Sequence, residues 1–251
     1  MESFANYVSS FAVPKGNAGV FWLGQAGFIF KTDDGKLIAV DIYLSDCCAR
    51  YFGYRRMIAK LLQPYDLTFD LLLATHAHYD HFDIDAVPML LDNGITQLAG
   101  AKDIEVECQR LNLKSNIAYL RVGELISRCG VEIKAVACDH GKETPDALGL
   151  ILNFSGKKVY IMGDTCYRPD LLENQELRNA DLLILPINGA FGNLNEKQGA
   201  EVVKTLSPKL AVPCHFGNFA EHGGSPQLFM EYAKSTKIAC RIMRQGEGIR
   251  I

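Results

Sequence analysis

Apolar residues along this chain come mostly in short bursts, each closed by glycine or a polar residue. Val20-Phe21-Trp22-Leu23, Phe28-Ile29-Phe30-Lys31 and Leu37-Ile38-Ala39-Val40 read as three strands of an antiparallel meander. Turn signals stand between them at Gly24-Gln25-Ala26-Gly27 and Asp33-Asp34-Gly35. Residues 42–69 break the pattern, with a helix expected from Tyr54 to Leu62. Asp70-Leu71-Leu72-Leu73-Ala74 then reads as a buried strand. Further strands are expected at 117–120, 131–137, 148–154 and 157–163, the last two joined as a hairpin by Ser155-Gly156. Another strand is expected from Leu182 to Leu185, an apolar run at Leu210-Ala211-Val212-Pro213-Cys214, and short strands near the end. Helices are expected from Ile84 to Asn93, stopped by Gly94, and over 102–111, with Asp103 and Glu105 in the first turn where acids are favoured. Two more are expected from Glu196 to Leu206 and from Pro226 to Ser235, with Pro226 near the start of the second. Strands and helices in two mixed runs predict an α/β fold, a four-layer αβ/βα sandwich, as one domain over residues 1–251.

Directly after the strand ending at Ala74 comes Thr75-His76-Ala77-His78-Tyr79-Asp80-His81. Side chains alternate along a strand, so His76 and His78 can point the same way, and a turn after His78 can return Asp80 and His81 toward them. Imidazole and carboxylate together suit zinc, iron or manganese. The alternative is a polar turn facing water. Three histidines and an aspartate at this spacing, behind a buried strand, favour the metal.

The run H-x-H-x-D-H at a strand end resembles the metallo-β-lactamase superfamily. That resemblance implies further ligands downstream: a histidine, an aspartate and a second histidine, each at a strand end. His140 in Cys138-Asp139-His140-Gly141, Asp164 in Gly163-Asp164-Thr165 and His215 after Pro213-Cys214 stand in that order. It implies one divalent ion on His76, His78 and His140, a second on Asp80, His81 and His215, and Asp164 touching both. Asp80 is carried over as the catalytic carboxylate. Asp41, ending the third meander strand, is expected to support the histidine loop by hydrogen bonding, with an ordinary turn residue as the alternative. Trp22-Leu23-Gly24-Gln25-Ala26-Gly27, Asp41-Ile42-Tyr43-Leu44-Ser45, Leu185-Pro186-Ile187-Asn188-Gly189 and Pro213-Cys214-His215-Phe216 further resemble the branch that includes L-ascorbate-6-phosphate lactonase.

Composition narrows the surroundings. The chain has 251 residues, 48% of them hydrophobic, enough for one large core. A net charge of −3 without long Lys or Arg runs indicates no nucleic-acid surface. No apolar window reaches the length of a membrane-spanning helix, and the start, Met1-Glu2-Ser3-Phe4, has no secretory pattern. Eight cysteines without a regular framework, two of them adjacent at Cys47-Cys48, read as reduced thiols in a cytoplasm. Cys166 and Cys214 adjoin expected ligands but are not expected to bind metal. A homo-oligomer is compatible with everything above.

Two metal ions, zinc or manganese, would share a water and lower its pKa. The resemblance implies hydrolysis of a carbon–oxygen bond, as in a lactonase acting on a small anionic substrate such as L-ascorbate 6-phosphate. A phosphodiesterase and a metal-binding scaffold without turnover are the alternatives. In the superfamily's di-iron redox members an acid usually stands where this chain has His78, which favours hydrolysis. Arg50, Arg55 and Arg56, interleaved with Tyr51, Phe52 and Tyr54, are candidates to hold the anion at the mouth of the site, with a solvated loop whose aromatics pack on the sandwich as the alternative. His222, in a glycine-bearing loop, is a further substrate-binding candidate, with a solvated loop histidine as the alternative.

Overall fold

The structure is a computed structural model that describes residues 3–114, 116–154 and 156–251. Two seven-stranded sheets carry the fold. The first takes β1 (Gly19–Gly24), β2 (Gly27–Lys31), β3 (Leu37–Val40), β4 (Leu71–Ala74), β5 (Gln97–Ala101) and β6 (Ile117–Leu120). The second takes β7 (Leu125–Arg128), β8 (Val131–Ala137), β9 (Leu148–Phe154), β10 (Lys157–Ile161), β11 (Leu182–Pro186), β12 (Leu210–Cys214) and β13 (Ala239–Cys240). The last strand, β14 (Gly248–Arg250), returns to the first sheet, whose order is β14-β1-β2-β3-β4-β5-β6; the second runs β13-β12-β11-β10-β9-β8-β7. In each sheet one half is antiparallel and the other, β3 to β6 or β10 to β13, is parallel.

Parallel neighbours need crossover connections, and helices supply them. The helices are α1 (Phe4–Ser10), α2 (Cys47–Phe52), α3 (Ala86–Leu91), α4 (Ile104–Arg110), α5 (Glu196–Leu206) and α6 (Pro226–Ala233). In chain order α3 and α4 fall between parallel strands of the first sheet, α5 and α6 between those of the second. Helix α5 begins with a full capping box between Asn195 and Gln198.

The meander strands are buried on both faces, which is why they read as unbroken apolar bursts. Val20, Trp22, Phe28, Phe30, Ile38 and Val40 join one core cluster with Ile133, Ala135, Leu150 and Leu152 of the second sheet. The alternate residues Phe21, Leu23, Ile29 and Ala39 join another with Val8, Val87, Leu90 and Ile104 of the helices. Phe30 stacks on Phe154 at 5.2 Å, one ring from each sheet.

The expected helix from Tyr54 to Leu62 does not form. The helix lies earlier, at α2, and ends at Gly53, whose φ of +79° closes a left-handed cap with bonds back to Ala49 and Cys48. Beyond it the backbone is bonded elsewhere: Met57 N–H donates to Asn218 O, and Ala59 O accepts from the Gln245 amide. Helix α3 is shorter than expected, while α5 has the expected bounds. Strands β5 and β7 and helix α1 were not expected. Ser155 of the expected hairpin lies outside the described residues; Phe154 pairs with Lys157 across it.

Strand β5 is disguised by Gly100, where a Cβ would meet Ala74 O at 2.6 Å and Ile104 Cδ1 at 2.7 Å. Replacing Gly100 by valine should therefore cost roughly 1–3 kcal/mol through overpacking. A fall in the urea midpoint checks it; an unchanged midpoint would show that the strand can move aside.

Candidate metal centre

All six histidines of the chain gather at one edge of the sandwich, although they come from segments far apart in sequence. His76, His78, Asp80 and His81 follow β4, His140 follows β8, Asp164 follows β10 and His215 follows β12. Three residues placed just after strands adopt left-handed backbone: Gln25 (φ 51°), Asp41 (φ 49°) and His215 (φ 62°). Such a conformation costs a non-glycine residue roughly 1–2 kcal/mol, so surrounding structure must hold it. His215 N–H donates to Gln25 O at 2.9 Å, tying two of the three together. Gly163, just before Asp164, also has positive φ, and a Cβ there would sit 2.7 Å from Leu148 O.

Asp41 organises the histidine loop. Its carboxylate accepts from Thr75 N–H and from Thr75 Oγ1, each at 2.7 Å, and faces His81 Nδ1 at 2.9 Å. A carboxylate only accepts, so His81 carries its proton on Nδ1 and leaves the Nε2 lone pair toward the cluster. Thr75 uses its one hydroxyl proton on Asp41, so its oxygen accepts from His76 Nδ1 at 3.1 Å. The Nε2 lone pair of His76 is thereby turned inward too. Nearby, Asp83 fixes the 44–45 segment, accepting from Leu44 and Ser45 N–H at 2.8 and 2.6 Å.

The inward atoms form two groups. His76 Nε2 lies 2.9 Å from His78 Nδ1, which lies 3.2 Å from His140 Nε2. In the second group His81 Nε2 and His215 Nε2 are 3.2 Å apart, with Asp80 Oδ2 at 3.7 and 3.3 Å from them. Asp164 lies between the groups. Its Oδ1 is 3.3 Å from His81 Nε2 and 3.2 Å from His215 Nε2, while Oδ2 is 3.6 Å from His140 Nε2. Yet Asp164 Oδ1, fully buried, makes no hydrogen bond. Tetrahedral ligation with bonds of about 2.0–2.1 Å spaces ligand atoms by about 3.4 Å. The second group thus has the donors and spacing for one ion, and the first offers three nitrogens for another. Among the described residues, no cysteine belongs to such a group.

Charges in the cluster oppose burial. Burial pushes the Asp164 carboxyl up, but the imidazoles of His215 and His81 outweigh it and hold it well below the usual carboxylate range. Burial likewise pushes Asp80 up, and His81 and His215 pull it down below its ordinary value. His215 goes the other way: burial lowers it, the Asp164 and Asp80 carboxylates raise it, and it ends at about 9. His140 and His222, dominated by burial, fall to about 4. With no lysine or arginine among the described lining residues, the buried carboxylates are balanced in the cluster only by these imidazoles, whose nitrogens are the same atoms a metal would take. A divalent cation would supply that balance itself, so the donor set fits one.

A cavity of about 440 Å³ opens over the cluster. His78, Asp80, His140, Asp164, His215 and His222 line it. His222 is no solvated loop residue: it stacks on His215 at 4.9 Å and 10°, and its Nδ1 is 3.0 Å from the Gln25 amide nitrogen. None of the three candidate arginines lines the cavity. Arg50 pairs with Asp85 at 2.6 Å, and Arg55 is exposed off the wall. Arg56 donates to Tyr43 O and Ser45 O and lies over the Tyr43 ring. Phe52 and Tyr54 of that segment do line the cavity. Cys214 packs in the core, and Cys166 is off this cavity.

Two residues stand outside the candidates drawn from the sequence, Gln25 behind the cluster and Cys48 on the cavity wall. Gln25 is fully buried, and its amide nitrogen lies 2.9 Å from Asp80 Oδ2. Its signal was its place, a polar residue directly behind an apolar strand, as with the other cluster residues. Cys48 also lines the cavity. A hydrogen bond with Cys47, burial and the Asp80 charge push its thiol far above the ordinary value, so it stays protonated.

Two mixed sheets between helices, with a histidine–aspartate cluster at the strand ends, define the αβ/βα sandwich class of metal-binding folds. The chain belongs to the metallo-β-lactamase superfamily: the family model described as "Beta-lactamase superfamily domain" matches residues 19–215. It is similar to the protein named UPF0173 metal-dependent hydrolase of Rubrobacter xylanophilus, 29% identical over 93% of this chain and 97% of the relative. The protein of the same name in Polynucleobacter asymbioticus is 26% identical over 97% of this chain and 91% of its own length. Among solved structures, Igni18, a metallo hydrolase from Ignicoccus hospitalis, superposes with a TM-score of 0.74 at 22% identity, covering 94% of this chain and 98% of its own. An isothiocyanate hydrolase from Delia radicum gut bacteria superposes at 0.73 with 19% identity, covering 92% and 98%. These last two likenesses speak to the fold.

If Asp41 sets the imidazole tautomers, Asp41→Ala should weaken binding of a divalent ion by roughly 10–100-fold, while Cys166→Ser and Cys214→Ser leave it unchanged. Competition against a chelator measures this; full affinity in Asp41→Ala would remove its positioning role. Arg56→Ala should cost about 1–3 kcal/mol of stability by stripping two carbonyls of their donor. Arg50→Ala, losing an exposed pair, should cost under about 1 kcal/mol. Equal urea midpoints for the two variants would contradict the contrast.

Proposed function

We propose that this chain is a metal-dependent hydrolase holding two divalent ions, zinc or manganese. His76, His78 and His140 would bind one, Asp80, His81 and His215 the other, with Asp164 between them. The observation that carries this reading is Asp164, whose two oxygens face two separate nitrogen groups and whose Oδ1 has no hydrogen bond. The names of the relatives support the coarser part of this reading, a metal-dependent hydrolase.

When bound, such ions supply Lewis acidity and lower the pKa of a water toward neutrality. The chain's own residues do the rest. Asp41 and Thr75 keep the imidazole lone pairs of His76 and His81 turned inward. Asp80 lines the cavity as well as facing the nitrogens, and we assign it the carboxylate that orients the attacking water. The Gln25 amide restrains Asp80 Oδ2 by a hydrogen bond. Phe52, Tyr54 and Phe219 thin the water above the site. The bond broken is proposed to be the carbon–oxygen bond of a lactone or ester, following the motifs shared with the lactonase branch.

Purified protein should carry about two ions per chain, and Asp164→Ala should lose metal and activity together. A panel of lactones against bis-p-nitrophenyl phosphate, each with zinc and with manganese, tests the reaction. Turnover of lactones supports the proposal. Turnover of the phosphodiester alone replaces it with a phosphodiesterase, and full metal content in Asp164→Ala would break the bridging assignment.

A further inference from the structure

The wall of the cavity says something about the part of the substrate that does not react. Away from the metal-facing groups it is built of aromatic rings. Tyr54 is the hub, with Phe52 at 6.1 Å, Phe191 at 6.0 Å, Phe219 at 6.1 Å and His222 at 6.2 Å between ring centroids. His222 in turn contacts Phe191 at 5.2 Å and Phe219 at 5.1 Å and stacks nearly parallel on His215. A continuous aromatic surface therefore runs from the cluster out to solvent.

Two of these rings gain little from folding. Phe52 is 56% exposed and Phe191 54% exposed, while the other large apolar side chains of the wall are sheltered. Phe191 sits between Gly189 and Gly192, all three at positive φ, and its own φ is 53°. A bulky residue seldom takes that conformation, which costs it on the order of 1 kcal/mol or more. The chain thus bears backbone strain to hold an apolar ring half in water, at the rim of a cavity. Burial against a flat apolar ligand would recover both exposures.

Charge points the same way. Among the described residues lining the cavity there is neither lysine nor arginine, and the one charged residue outside the cluster is Glu143, an acid. Of the nearby arginines, Arg50 is committed to Asp85, Arg56 to the Tyr43 and Ser45 carbonyls and Arg168 to Asp139 and Asp170, while Arg55 is exposed off the wall. A phosphate or carboxylate distant from the reacting bond would find no donor fork and would face Glu143 instead. The volume of about 440 Å³ suits a small molecule.

We propose that the cavity takes a substrate whose non-reacting part is a flat, uncharged, apolar group, bounded by Phe52 and Phe191 and stacked on the Tyr54–His222 surface. This rests on the hydrolase reading for the reacting bond, and it replaces the anionic sugar phosphate as the expected substrate.

The test compares two γ-butyrolactones, one bearing a phenyl group and one a carboxylate, with the metal-loaded protein. Benzamide, a flat neutral ring that is not expected to turn over, is titrated in parallel by calorimetry. The phenyl lactone should have the higher kcat/KM, by about tenfold. Phe52→Ala and Phe191→Ala should each lower its kcat/KM by roughly 3- to 10-fold, chiefly through KM, and weaken benzamide to a similar extent. Metal content should stay within about twofold of the wild type, which separates loss of the wall from loss of the metal centre. A preference for the carboxylate lactone overturns the proposal, as does benzamide affinity that is the same in both variants and the wild type. If neither lactone reacts, the carbon–oxygen reading fails by itself, and the benzamide titration alone decides the wall.

Discussion

Everything at the working edge of this molecule hangs on one buried carboxylate, Asp41. It takes three donors, from the Thr75 backbone, the Thr75 hydroxyl and His81. Through them it fixes the start of the histidine loop, one tautomer directly and a second through the threonine. A side chain so enclosed would be costly if any partner were missing, because an unpaired charge cannot be left in a dry interior. Asp41 holds left-handed backbone directly after β3 while its carboxylate meets Thr75 and His81 just beyond β4, so strain in the main chain and pairing of the charge occur at one residue.

The core explains why that strain is tolerable. Central strands such as β1, β3 and β11 are buried on both faces, and the residues between the sheets interlock across the sandwich. Leu148 N–H donates to Thr75 O at 2.9 Å, a backbone link from the second sheet to the histidine loop itself. The loop is thus pinned by a hydrogen bond across the sheets as well as by its own strand. Cluster residues arrive from four strand ends, and any shift of one strand would be felt by all.

Much of this was legible in the sequence, and the reasons differ by element. Buried strands stood out because burial on both faces demands uninterrupted apolar runs. The histidines stood out because each sits directly behind such a run. Strand β5 was hidden because its close packing on Ala74 and Ile104 requires small residues, and Gly100 and the alanines around it have no strand signature. Helix α2 was displaced from its expected place because Gly53 ends it and the basic-aromatic stretch beyond bonds to distant backbone. The arginines misled for a related reason. Composition shows that a cation is present in a segment, but only the packed structure shows that Arg56 is already spent on two carbonyls. Gln25 was readable only by position, since no periodicity marks a single amide.

His76, His78, Asp80 and His81 ride on one sheet, while His140, Asp164 and His215 ride on the other. The gap between His81 and His215, 134 residues apart in the chain, is therefore a measure of how thick the hydrocarbon layer is between the sheets. Stacked sheets sit about 10 Å apart, and their interiors are packed like crystals, with little slack. Side chains such as Phe30 and Phe154, which never see the cavity, act as the shims that set this spacing. A methylene added or removed among them is a change of tolerance at the reacting atoms, so in this architecture the calibration of the chemistry is written in the oil.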